Sequence, residues 1–189
     1  MVKGLYTAYT GMINEQNRMD ILTNNLANAS TVGFKKEGAT SQAFDEVLAL
    51  KIKDTTDASI VRPLGDISMG VKIGESYTDY SQGSLRETGN TYDIAISGTG
   101  FFTVEFRNKA GETSTKYTRD GGFTLNKDGY LVTKDGDYVL GTNGRIKVDP
   151  LQNAVIDKLG RIYQDDKLVA TLKITDFEDY NYLEHYGEN

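Results

Sequence analysis

The chain has 189 residues, enough for one domain of ordinary size and an appendage. Its 12 tyrosines and 7 phenylalanines exceed what a disordered chain carries, so most of it is expected to fold. A formal charge of −6, with no basic cluster larger than Lys35-Lys36, argues against nucleic acid as a partner, and the absence of cysteine removes disulfides, thiolate metal sites and cysteine nucleophiles together.

The first element is a helix over residues 4–28. Leu5, Met12, Met19 and Leu26 are spaced by sevens, and Ala8, Leu22 and Ala29 occupy the companion heptad positions, with Glu15 the exception. Tyr9 and Ile13 widen the stripe. Such a helix is roughly 38 Å long at 1.5 Å per residue. Its stripe has to be covered, either by the rest of its own domain or by another helix from this chain or a neighbour. Asn14, Glu15, Asn17, Arg18 and Asp20 interrupt any apolar signal core, so no signal peptide is expected, and no stretch approaches the length that spans a bilayer.

The helix runs into Asn24, Asn25, Asn28, Ser30, Thr31 and Gly33. These residues tolerate left-handed backbone or compete for backbone hydrogen bonds, which predicts an ordered turn. Residues 1–37 therefore form a helix-and-turn segment. Residues 38–91, with recurrent glycine and the polar run Asp54–Ser59, read as an extended connector with short strands. From residue 92 the pattern is all-β. Tyr92, Ile94 and Ile96 alternate with polar or small residues, and Phe102, Val104 and Phe106 follow after the turn Gly98-Thr99-Gly100. Further strands are expected near Tyr117, Phe123–Leu125, Tyr130–Val132, Tyr138–Leu140, Ile146–Val148, Val155–Ile156, Arg161–Tyr163 and Lys167–Ile174. Asp128-Gly129, Asp135-Gly136 and Asn143-Gly144 mark turns between them. The fold class is mainly β with a long N-terminal α-helix, the compact β domain occupying residues 92–189. Phe102, Val104, Phe123, Leu125, Leu131, Val139 and Leu140 are its expected core.

No constellation of catalytic side chains emerges. The one histidine, His185, has no Gly-x-Ser-x-Gly elbow to serve. Thr124-x-Asn126-x-Asp128-Gly129 is part of a calcium-loop pattern, but Thr stands first and Asp135 twelfth, so a hairpin turn accounts for it better. Gly98-Thr99-Gly100 lacks the third glycine and the helix of a nucleotide loop. No cofactor, metal or catalytic residue is assigned.

The run Asn24-Asn25-Leu26-Ala27-Asn28-Ala29-Ser30-Thr31-Val32-Gly33-Phe34-Lys35, with the opening Gly4-Leu5-Tyr6-Thr7-Ala8, resembles the N-terminal signature of the bacterial flagellar rod and hook family. A second patch agrees: Gly98-Thr99-Gly100-Phe101-Phe102, then Tyr117-Thr118-Arg119-Asp120-Gly121 and Asp128–Val132, is similar to the middle domain of the longer members. Where that family has Gly-Asn-Pro-Leu-Asp, this chain reads Gly89-Asn90-Thr91-Tyr92-Asp93. The resemblance implies a structural subunit of the distal-rod type, or a hook-type subunit. It implies export through the flagellar type III channel without a cleaved signal peptide, residence in the basal body, and partnership with copies of itself and other axial proteins. It implies no enzymatic activity, no nucleic acid and no membrane insertion. A cell-surface binding module and a peptidoglycan-acting enzyme are the competing readings. The family's second terminal helix is not found before Asn189. The residues implied for assembly are Leu5, Tyr9, Met12, Met19, Leu22 and Leu26 on the stripe, and Asn25, Asn28, Thr31, Gly33 and Phe34 in the turn. The turn is expected to act by shape, with Gly33 at positive φ or at a close approach. Asn25 and Asn28 are expected to satisfy groups at the helix end. The alternative is that the turn is the export address.

Overall fold

The computed structural model describes residues 2–51, 62–109 and 111–186. The chain divides into two compact units, one of residues 1–29 and 35–80, the other of residues 30–34 and 81–189.

Among the described residues, the first unit holds one helix, α1 (Val2–Ala27), and four strands: β1 (Glu37–Ala43), β2 (Val47–Lys51), β3 (Arg62–Ile67) and β4 (Val71–Thr78). α1 ends where expected. The Asn28 N–H still reaches the Asn24 carbonyl at 3.0 Å, and the Ala29 N–H tightens onto Leu26 at 3.2 Å. β1 pairs antiparallel with β4, from Glu37↔Thr78 to Ala43↔Val71, and β2 with β3, from Val47↔Ile67 to Lys51↔Arg62. The chain thus runs out and back as nested antiparallel pairs, and α1 packs on β4 and β1. The stretch read as connector therefore splits. Up to Tyr80 it groups with the helix, β1 and β4 lying against α1, and from Ser81 it groups with the β unit. The polar run Asp54–Ser59 lies outside the described residues.

The second unit is built around β5 (Phe101–Arg107). β6 (Thr113–Thr118) pairs along one edge of it. The other edge is shared by β14 (Ile174–Thr175), at Phe101 and Phe102, and by β9 (Tyr138–Gly141), at Val104 and Glu105. β9 continues the sheet to β8 (Leu131–Val132) and β7 (Thr124–Leu125), and β10 (Gly144–Arg145) folds back on it. A separate antiparallel sheet holds β11 (Ala154–Ile156), β12 (Arg161–Gln164) and β13 (Lys167–Thr171).

Phe102, Val104, Phe123, Leu131, Val139, Ile146, Val148, Ala154, Ile162 and Leu172 form the buried core, with Phe102 edge-on to Phe123 at 5.1 Å. Leu125 packs against this core half-buried, and Leu140 is also half-buried, so five of the seven expected core residues are fully buried. Residues 92–96 differ from expectation. Tyr92, Ile94 and Ile96 turn inward, but only an Asp93↔Gly122 bridge forms, so the alternation marks burial without a strand ladder.

Among the described residues one turn design recurs four times. In Asn108–Glu112, Asn126–Tyr130, Thr133–Asp137 and Asp157–Arg161, the glycine in fourth place donates to the first carbonyl, and the first N–H donates to the fifth carbonyl. The glycine has positive φ each time (89°, 80°, 94° and 72°), the geometry of a three-residue hairpin loop closing on a bulge. The calcium-like stretch is one of these turns: Asn126 Oδ1 accepts from the N–H groups of Asp128 (3.0 Å) and Tyr130 (2.8 Å).

Candidate assembly interface

At about 100° per residue, Leu5, Met12, Met19 and Leu26 fall on one side of α1, and Thr10, Asn14, Ile21, Asn25 and Asn28 on the opposite side. The structure buries the second side. Thr10 and Asn14 are buried and Ile21, Asn25 and Asn28 half-buried. The Asn14 amide donates to Ser41 Oγ at 3.1 Å, and the Thr10 hydroxyl lies 3.4 Å from the Met69 carbonyl. The backbone comes so close there that a side chain on Gly70, at φ +118°, would collide with Thr10 Oγ1. Asn25 spans the gap to the start of β1, donating to the Glu37 carbonyl at 2.8 Å and accepting its N–H at 2.9 Å. The polar contacts of the seam are thus made by Thr10, Asn14 and Asn25, two of them to backbone and one to a side chain.

The apolar stripe is left outside. Leu5, Met12, Met19 and Leu26 are 72%, 64%, 63% and 76% exposed, and Tyr9 and Leu22 are also exposed. The six side chains named on the stripe therefore lie on one open side of the helix. Isolated exposed apolar residues carry no meaning, whereas this row is aligned along the length of the helix, which makes it the candidate interface of the unit. Charges beside it contribute little. Glu15 and Arg18 approach to 3.9 Å while both are mostly exposed.

The turn residues are placed separately. Asn25 serves Glu37, 12 residues on, and not the helix end, because its side chain lies on the seam side. Asn28 does serve the helix end, its amide donating to the Asn24 carbonyl at 3.1 Å and to the Asn24 side chain at 2.7 Å. Thr31 is exposed, its carbonyl 3.5 Å from the Phe34 N–H, and Phe34 is half-buried. Gly33 has φ +77°. A Cβ there would lie 2.5 Å from the Arg119 carbonyl carbon, 2.8 Å from its oxygen, and against the Asp120 nitrogen. Both reasons expected for this glycine hold at once. The contacts of Thr10 and Asn14 went unrecognised in the sequence, where single polar residues on a helix carry no signal of partners 59 and 27 residues away.

Among the described residues, no group of three or more His, Cys, Asp or Glu side chains is placed to hold a metal ion, and no helix is long and apolar enough to cross a membrane. Perturbed carboxylates have structural causes. Glu105 is held low first by its hydrogen bonds from Arg145, and Asp93 by those from Thr88 and then Asn90.

α1 thus presents an exposed heptad face opposite a side already occupied by polar contacts, and Gly33 in the turn that follows lies against the backbone of Arg119 and Asp120. Residues 5–35 match the family described as flagella basal body rod protein, and residues 95–164 match that described as flagellar hook protein FlgE/F/G D1 domain. The flagellar basal-body rod protein FlgG of Agrobacterium fabrum is 32% identical over 196 residues, covering all of this chain and 72% of the relative. Its namesake in Bacillus subtilis is 37% identical over 149 residues, covering 76% of this chain and 53% of the relative. The flagellar basal-body rod protein FlgF of Caulobacter vibrioides is 32% identical over 191 residues, covering all of this chain and 72% of the relative. The chain belongs to the flagellar basal-body rod protein family.

Proposed function

We propose that this chain is a structural subunit of the bacterial flagellar basal-body rod, of the distal-rod type, which joins copies of itself and other axial proteins and performs no catalysis. The observation that carries this reading is the exposed row Leu5, Met12, Met19, Leu22 and Leu26, directly opposite a polar seam that already satisfies the helix. In this reading the flagellar export apparatus delivers the subunit to the basal body without cleaving a signal peptide. The rod's work is mechanical, so the side chains that matter are those that fix shape and contact. A second reading, a hook-type axial subunit, draws support from the family matched by residues 95–164, whose description includes the hook protein.

The test is complementation of a non-motile strain lacking this gene. The double variant Met12→Asp, Met19→Asp puts two carboxylates on the stripe, each needing burial if the stripe is covered in the assembly. The expected result is a subunit whose β unit folds normally, with no completed rods and no swimming. Normal rods and motility with both substitutions would refute the assignment of this face.

A further inference from the structure

The two stretches that the sequence marks separately, the turn at 30–34 and Tyr117–Phe123, touch inside the β unit. The backbone of Gly33 lies directly against that of Arg119 and Asp120. Asp120 is fixed in turn. Its N–H donates to Thr118 Oγ1 at 3.0 Å, and its carboxylate accepts the Gly122 N–H at 2.9 Å and the Lys134 ammonium at 3.2 Å. One residue earlier, the Arg119 side chain supports something else. Its guanidinium lies 5.1 Å from the Phe101 ring centre and donates to the Gly98 carbonyl at 2.9 Å. Phe101 carries the later stretch of chain: its ring meets Phe177 and Tyr180, each at 5.8 Å, and Phe177 sits edge-on to Tyr117 at 4.8 Å. Arg119 Nε is buried with no hydrogen-bond partner among the described residues.

We propose that Tyr117–Asp120 is a coupling element that links the order of the turn at 30–34 to the order of the segment at 176–180. The physical route is short. Relieving a clash at Gly33 requires the Arg119–Asp120 backbone to move. That movement draws the guanidinium off Phe101 and loosens the ring cluster on which Phe177 and Tyr180 rest. The coupling is reciprocal, because two segments that stabilise the same arrangement of a third must stabilise each other.

Hydrogen exchange of the full chain tests this. Gly33→Ala forces a side chain into positive φ, and exchange should quicken about tenfold both at 30–35 and at 176–183. Gly136→Ala strains a turn at φ +94° with open space around it, and should leave both segments unchanged. From the other side, Phe177→Ala should quicken exchange at 30–35 while the strands around Val139 and Ile162 keep their protection. In Arg119→Leu, the effect of Gly33→Ala on 176–183 should vanish. The proposal is overturned if Gly33→Ala opens 30–35 alone, or if Phe177→Ala leaves 30–35 unchanged. Should Gly33→Ala fail to fold, the Phe177→Ala result decides by itself.

Discussion

Replacing Phe102 by alanine probes the β unit at its centre. Phe102 is 1% exposed and sits on β5, the strand that pairs with three others. Its ring is edge-on to Phe123, and a Cβ built on Gly121 would come within 3.2 Å of it, so backbone as well as side chains defines its socket. Truncation removes the burial of the ring and leaves a cavity whose walls are tied into the sheet and cannot easily collapse. Phe→Ala at such a site costs about 3–5 kcal/mol, and the rigid surroundings favour the upper half of that range. Against a domain stability of about 5–15 kcal/mol, this is a large fraction. The chain has no tryptophan, so urea unfolding is followed by tyrosine fluorescence and far-ultraviolet circular dichroism. The midpoint should fall with the slope unchanged, since the surface exposed on unfolding is nearly the same. Phe102→Leu, which refills part of the socket, should recover a substantial share of the loss. A Phe102→Ala loss below about 1 kcal/mol would show that the core is not centred on this ring.

Two further outcomes follow from the β unit. The Asp176 carboxyl is held below its usual range first by the Tyr180 hydroxyl, then by Thr99 and the Phe177 N–H, with the Arg119 charge adding to them. Its depressed folded value means that its contribution is present above the ordinary carboxylate range and is lost as the pH falls through the folded value. Tyr180, raised by the same bond, loses its contribution as the pH rises through its own folded value. Docking of residues 176–180 should therefore be firmest near neutrality and loosen in acid, and Asp176→Asn should flatten the acid limb when Tyr180 is followed by NMR. The turn between β12 and β13 places Asp165 and Asp166 at φ 46° and 61°, a pair of left-handed residues that Asn-Gly fits better. The double change Asp165→Asn, Asp166→Gly should raise stability by about 1 kcal/mol in the same unfolding assay, and a loss would contradict the turn geometry.

What the sequence discloses depends on how local the cause is. The α1 stripe repeats every seven residues, so the helix and its apolar face are legible from a dozen positions, but whether that face is covered by its own unit is not. The alternation at Phe102, Val104 and Phe106 likewise reports β5, because burial on one side of a strand leaves a period of two. The β1–β4 pairing is not legible. Its strands are rich in glycine, serine and threonine, and the partners Glu37 and Thr78 are separated by 40 intervening residues. The four equal turns were half visible, as two Asp-Gly echoes. The first place is filled by Asn, Thr or Asp, three residues whose side-chain oxygens can each bond a nearby backbone N–H, and chemical equivalence hides there as sequence difference. Gly33 was legible as a special residue, but not its neighbour Arg119, since a close approach leaves a mark on the small residue only.

The division of α1 into a polar buried side and an apolar open side bears on how an assembling subunit keeps its options. Had the helix packed on β1 and β4 through Leu5, Met12, Met19 and Leu26, the apolar surface would already be spent inside one chain. Packing through Thr10, Asn14 and Asn25 uses hydrogen bonds whose net worth is about 0.5–1.5 kcal/mol each, enough to orient the helix when summed and modest enough to be rearranged. The stripe keeps its apolar area open, and Met and Ala stand beside Leu along it. Geometry adds a further constraint. A seven-residue repeat on a helix of 3.6 residues per turn drifts by about 20° per heptad, so the row from Leu5 to Leu26 slants across the surface. A partner helix that follows it must wind around α1 with a left-handed twist, and straight parallel packing would lose contact at one end of the row.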